Sequence, residues 1–174
     1  YAISACLVGS EMCIRDSYWH DRDLLTFRLP VDGSTSISDV TAEMATLLVT
    51  GPKAPALMAD LTGAAMDHDS FPWLTYRRMQ IAGFDVTAIR VSFAGEAGWE
   101  LHCDMDDVAR LYDAVWAAGE EHQIANFGML ALDSMRLEKG YRSWKADLPS
   151  DYSMLEGGLA RWVNLGRADF VGRA

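Results

Sequence analysis

YRRMQIAGFDVTAIRVSFAGEAGWELHC, residues 76–103, is the stretch on which the fold turns. It holds three runs with strand character, at 76–82, 84–93 and 99–103, separated only by Gly83 and by the AGEAG corner at 94–98. Links this short join antiparallel strands, because parallel neighbours need a crossover of a dozen or more residues. A doubly wound parallel sheet would require a helix between successive strands, and this run has none. In the middle run Phe84, Val86 and Ala88 share one parity while Ile89, Val91 and Phe93 share the other. Either both faces are buried there or a bulge sits near Ala88.

Working outward, residues 44–50 (MATLLVT) are nearly continuous in apolar side chains and predict a central strand, with a further strand at 37–40. Gly51-Pro52 ends the strand and opens a helix through about Leu61. Downstream, Val108, Leu111, Tyr112 and Val115 fall at i, i+3, i+4 and i+7, which predicts a helix over 106–121. A second helix is predicted over 128–139, with Gly140 as its C′ residue. The N-terminal side offers a helix at 18–29, stopped by Pro30 and Asp32-Gly33, and the C-terminal side a turn at 155–159 and a strand at 162–165. Strands and helices are intermixed with hairpin-length links, so the expected class is α+β: a mixed, largely antiparallel sheet with packed helices. No repeat or low-complexity linker divides the chain.

The 174 residues are about one domain's worth. Half are hydrophobic and 23% charged, so the chain should fold. Fifteen basic against 25 acidic residues give −10, which argues against nucleic acid or an anionic membrane as partner. The longest uncharged apolar runs are far too short to span a bilayer. Residues 1–17, YAISACLVGSEMCIRDS, have no clean period and no signal-peptide layout. They resemble translated adapter sequence and are set aside as non-native. Two of the three cysteines go with them, leaving Cys103, no disulfide framework and a reducing, cytoplasmic setting.

Several chemistries are absent. His20, His68, His102 and His122 never recur at i, i+4, and His102-Cys103-Asp104 alternate across a strand, so no metal site is expected. No G-x-S-x-G elbow, Walker A loop or G-x-G-x-x-G turn occurs. Cys103 on a strand suits a small core residue better than a nucleophile. Two segments remain. In 90–100, Trp99 and Glu100 must face opposite sides of a strand; Glu100 is either a solvated carboxylate or the floor of a site. In 133–144, a helix with Arg136 and Glu138 runs through Gly140 into Tyr141 and Trp144, which either pack in the core or wall a flat slot. Should the two converge, a carboxylate would face planar aromatic walls, a setting for a flat, nitrogen-rich ring.

At these residues the chain resembles a known family. SFAGEAGWELH is similar to the Y-x-G-E-x-G-x-E turn of the folate-binding domain of glycine-cleavage T-proteins (aminomethyltransferases). LDSMRLEKGYRSWKADL and LEGGLARWVNLGRADFVGR are most similar to the version fused behind the flavin domain of dimethylglycine and sarcosine dehydrogenases. The likeness covers essentially all of residues 18–174. It implies an aminomethyltransferase-type folate-binding domain that binds tetrahydrofolate, with Glu100 holding the pterin edge and Phe93 standing where the family has Tyr. Tyr141 and Trp144 are implied pocket walls, and Arg136 and Glu138 a buried structural pair. T-proteins carry an Arg where this chain has Leu132, a departure that points to the dehydrogenase branch.

The family's catalytic Asp belongs to an upstream segment that this sequence does not show, so no catalytic residue is assigned. The resemblance implies FAD in a further upstream domain, an N-methyl amine substrate such as dimethylglycine or sarcosine, and a fragment truncated at both ends, inactive alone as an oxidoreductase. A stand-alone aminomethyltransferase or demethylase and a non-catalytic folate-binding module are the alternatives.

Overall fold

The computed structural model describes residues 18–143, 146–149 and 151–168. The chain divides into two units, Ile37–Tyr141 and the segments on either side of it.

The unit Ile37–Tyr141 is built on four strands: β1 (Met44–Thr50), β2 (Tyr76–Ile81), β3 (Phe84–Ile89) and β4 (Gly98–Asp104). Their order is β1-β4-β3-β2 and every pair is antiparallel. The α+β, antiparallel architecture expected from 76–103 is the one observed. β2, β3 and β4 follow one another as a meander, and β1 adds beside β4.

Besides α1 (Tyr18–Phe27) in the flanking segments, the described α-helices are α2 (Ala54–Thr62), α3 (Val108–Gly119) and α4 (Met129–Glu138). Pro55 rather than Pro52 occupies the first turn of α2, where its missing N–H costs nothing. Gly63, at φ 67°, closes that helix by donating its N–H to the Ala59 carbonyl. Gly140 (φ 71°) ends α4 as expected: its N–H bonds Leu137 O at 3.0 Å and the Tyr141 N–H bonds Arg136 O at 2.9 Å. That paired closure fixes where Tyr141 leaves the helix.

The core lies on one face of the sheet. Trp99, Leu101 and Cys103 of β4 are almost wholly buried there, with Val49, Val86 and Ala88 from neighbouring strands, Leu57 and Met58 from α2, and Leu111 and Val115 from α3. Period-2 alternation sends Glu100 and His102 to the opposite face, beside Leu48 and Thr46 of β1 and Ile89 and Thr87 of β3.

Of the two causes offered for the parities of 84–93, burial on both faces holds at the end of β3, where the opposite-facing Ala88 and Ile89 are both buried, and the unbroken register through Ala88 leaves no bulge there. β3 stops at Ile89, and the Val91 N–H turns back to the Ile89 carbonyl at 3.0 Å. This three-residue turn resets the alternation before Phe93. Residues 37–40 are not a strand: Asp39 Oδ1 accepts the Thr41 N–H, and Val40 O accepts those of Glu43 and Met44, so the segment is spent on turns.

In the flanking segments α1 runs Tyr18–Phe27 and buries no residue. Residues 162–165, expected as a strand, instead complete a single 3-10 turn at Ala160–Trp162 and a turn in which Asn164 Oδ1 accepts the Gly166 N–H. The adapter-like reading of 1–17 lies outside the described residues.

Candidate functional site

The AGEAG corner is tied to the end of β1. Gly51 N–H and Thr50 Oγ1 both donate to the Ala97 carbonyl, at 3.0 and 3.2 Å. Thr50 Oγ1 also shares a 2.8 Å bond with Ser92 Oγ, which in turn accepts the Ala94 N–H. Gly95 needs its positive φ of 77°, and a Cβ there would meet the Lys139 side chain, whose Nζ pairs with Glu96 at 3.0 Å. The first Glu of the motif thus braces the corner against the end of α4.

The second Glu behaves differently. Glu100 lies on the face away from the core, its side chain only 19% exposed, and its Oε2 is 3.2 Å from His102 Nε2. His102 Nδ1 is 3.0 Å from Thr46 Oγ1 across the β1–β4 ladder. A carboxylate has no proton to give, so Nε2 carries one and donates it, while Nδ1 meets a hydroxyl that can either donate or accept. Among the described residues His102 is the only side chain bonded to Glu100, which leaves Oε1 and one lone pair of Oε2 available.

Phe93 and Tyr141 stack on one another, centroids 6.1 Å apart and planes 18° apart. Tyr141, one of the implied walls, is thus brought against Phe93, the residue at the family's Tyr position. Trp144 lies outside the described residues. Arg136 is buried, but its partner is Asp133 (2.6 Å) together with the Tyr141 carbonyl (2.9 Å); Glu138 is exposed, so the expected Arg136–Glu138 pairing is corrected. Arg90 is buried against the Trp99 ring and donates to the carbonyls of Asp67 and Phe71. It holds the 67–71 turn, within which the Ser70 N–H and hydroxyl draw the Asp67 carboxyl below its ordinary value.

Two clefts flank these elements. One of about 360 Å³ is lined by Arg90, Ser92, the corner, Trp73 and Tyr141. The other, about 700 Å³ and mostly apolar, runs along β1 and is lined by Leu57, Val115, Trp116, Met129 and Leu132. Glu100 lines neither. Burial, then Asp107 and Asp104, raise the Cys103 thiol above its ordinary value, which suits a core residue. Among the described residues no group of three or more His, Cys, Asp or Glu could hold a metal, and no helix is long and apolar enough to cross a membrane.

His102 and Thr46 are the members that sequence reasoning missed. The signal was Glu100-x-His102: two residues apart on a strand share a face, whereas the neighbours His102-Cys103-Asp104 do not.

The GCVT N-terminal domain family matches residues 9–167. Dimethylglycine dehydrogenase, mitochondrial, of Homo sapiens is 36% identical over 168 residues, covering 96% of this chain and 19% of that protein. Sarcosine dehydrogenase, mitochondrial, of Mus musculus is 41% identical over 138 residues, 79% of this chain and 15% of that protein. An aminomethyltransferase of Shouchella clausii is 32% identical over 152 residues, 87% of this chain and 41% of that protein. The chain thus spans about a fifth of the dehydrogenases it matches. These two are mitochondrial by name, and the cytoplasmic expectation is not carried forward.

Proposed function

The chain belongs to the GCVT N-terminal domain family, and from that premise we propose that it is the tetrahydrofolate-binding part of an N-methyl amine dehydrogenase of the dimethylglycine or sarcosine type. Tetrahydrofolate supplies the acceptor for the one-carbon unit released by amine oxidation. This chain's residues bind and orient it. The observation that carries the reading is Glu100: a largely buried carboxylate, off the core face, with one oxygen held by His102 and the rest of its acceptor capacity open. Such a group can take two parallel N–H bonds from the 2-amino group and N3–H of a pterin, each charge-assisted and contributing about 1.5–3 kcal/mol. The stacked Phe93 and Tyr141 supply a flat apolar face of the kind a ring packs on. Phe93 lacks the hydroxyl of the family's Tyr, so that position stacks without hydrogen bonding.

In this reading the catalytic Asp and the flavin belong to parts of a longer dehydrogenase outside these residues; the chain spans about a fifth of the dehydrogenases it matches. A stand-alone aminomethyltransferase is the second reading, supported by the Shouchella relative and weakened by Leu132, which lines the apolar cleft where T-proteins place an Arg.

The test is titration of the full-length protein carrying this chain with tetrahydrofolate. Glu100→Gln should weaken binding about tenfold to a hundredfold, the worth of one such bond. Unchanged affinity would remove Glu100 from the site.

A further inference from the structure

We propose that His102, buttressed by Thr46, is a positioning residue that aims the Glu100 carboxylate at its ligand. The proposal rests on the reading of Glu100 as acceptor for a ligand's paired N–H groups, and it names what holds that acceptor in place.

A Glu side chain has several rotatable bonds, and freezing them on binding weakens affinity unless the protein has already done so. Directly across the ladders from Glu100 stand Leu48 and Ile89, neither of which can hydrogen-bond it. Two positions along β4, and on the same face, is His102, whose Nε2–H reaches Oε2 at 3.2 Å. Its ring is itself fixed from the other side, where Nδ1 meets Thr46 Oγ1 at 3.0 Å on the adjacent strand. An imidazole anchored at both nitrogens by two strands is a rigid prop, and both side chains of the His102–Glu100 pair are more than four-fifths buried. Because the prop uses a single lone pair of one oxygen, the edge that would accept two parallel N–H groups stays open. His102 contributes no contact to the ligand. It acts through Glu100.

This predicts a loss confined to ligands that use the carboxylate edge. The full-length protein is titrated with tetrahydrofolate and with an analogue whose 2-amino group is replaced by methyl. His102→Leu should weaken tetrahydrofolate about tenfold and the analogue, which keeps only its N3–H bond to Glu100, by clearly less, shrinking the preference between them. His102→Gln, whose amide nitrogen falls near the Nε2 position, should restore most of it. Thr46→Val, at an exposed position, should cost a few-fold in tetrahydrofolate and less in the analogue, and it decides the matter if His102→Leu does not fold. Equal weakening of both ligands would mark His102 as merely structural and overturn the proposal. Retained preference in His102→Leu and Thr46→Val, with Glu100→Gln still impaired, would overturn it while leaving the Glu100 reading intact. If Glu100→Gln also binds like the unmodified protein, both fall.

Discussion

Cys103 and Glu100 sit three residues apart on β4 and face opposite worlds. Cys103 is 1% exposed in the core, and burial, followed by the negative charges of Asp107 and Asp104, holds its thiol above the ordinary value of 9.0. Unfolding releases the thiol to ionise at that ordinary value. The folded state therefore keeps its full stability below pH 9.0 and loses part of it as pH rises toward the folded value. Chemical unfolding of the full-length protein at a series of alkaline pH values should show this decline, and Cys103→Val should flatten it. An equal slope in both proteins would put the decline elsewhere. A disulfide reagent should likewise leave Cys103 unlabelled until denaturant is added. At this scale the sequence was legible wherever alternation alone decides: Trp99 in, Glu100 out, Cys103 in. What pairs with Glu100 depended on which strand lies beside β4, and no local pattern says that β1 brings Thr46 opposite His102.

Elements followed the same division. The three strands of 76–104, together with β1, α2, α3 and α4, could be read because glycines, short links and apolar periodicity agreed. The run through Phe93 stayed apolar past the point where the ladder ends, and only the Val91-to-Ile89 turn separates strand from loop. The segment 37–40 misled because four apolar-polar residues satisfy a strand pattern equally well when Asp39 is capping a turn. The corner at 94–98 makes a sharper test of element geometry. Gly98 has an ordinary backbone, yet a Cβ there would lie 2.8 Å from Ser92 Cβ and 2.9 Å from Thr50 Oγ1. Those two side chains are bonded to each other across it, so neither can move without losing that bond. Gly98→Ala should cost about 1–3 kcal/mol by overpacking, read as a lower melting temperature. The same substitution should cost less in a Ser92→Gly background, which removes the nearest obstructing atom, Ser92 Cβ. A single substitution with no effect would mean that the corner is looser than its bonds imply.

For the molecule as a whole, the decisive feature is the apolar surface exposed among the described residues. α4 buries only Arg136 among its ten residues, while Met129, Leu130 and Leu137 are 73%, 88% and 56% exposed. β1 stands at the edge of the described sheet with the larger apolar cleft along it. A strand edge unpaired among the described residues, beside exposed Leu and Met side chains, is a template for self-association. The relatives offer a physical context for this surface, since the chain spans about a fifth of the dehydrogenases it matches. Expressed by itself, the 174-residue chain should bind a hydrophobic dye and scatter more light per molecule as its concentration rises. Leu130→Glu, at a position too exposed to support the core, should reduce both signals without lowering the melting temperature. If the unmodified chain instead stays monomeric and dye-free, the face of α4 is covered by something within these residues, and the argument for an outside partner is lost.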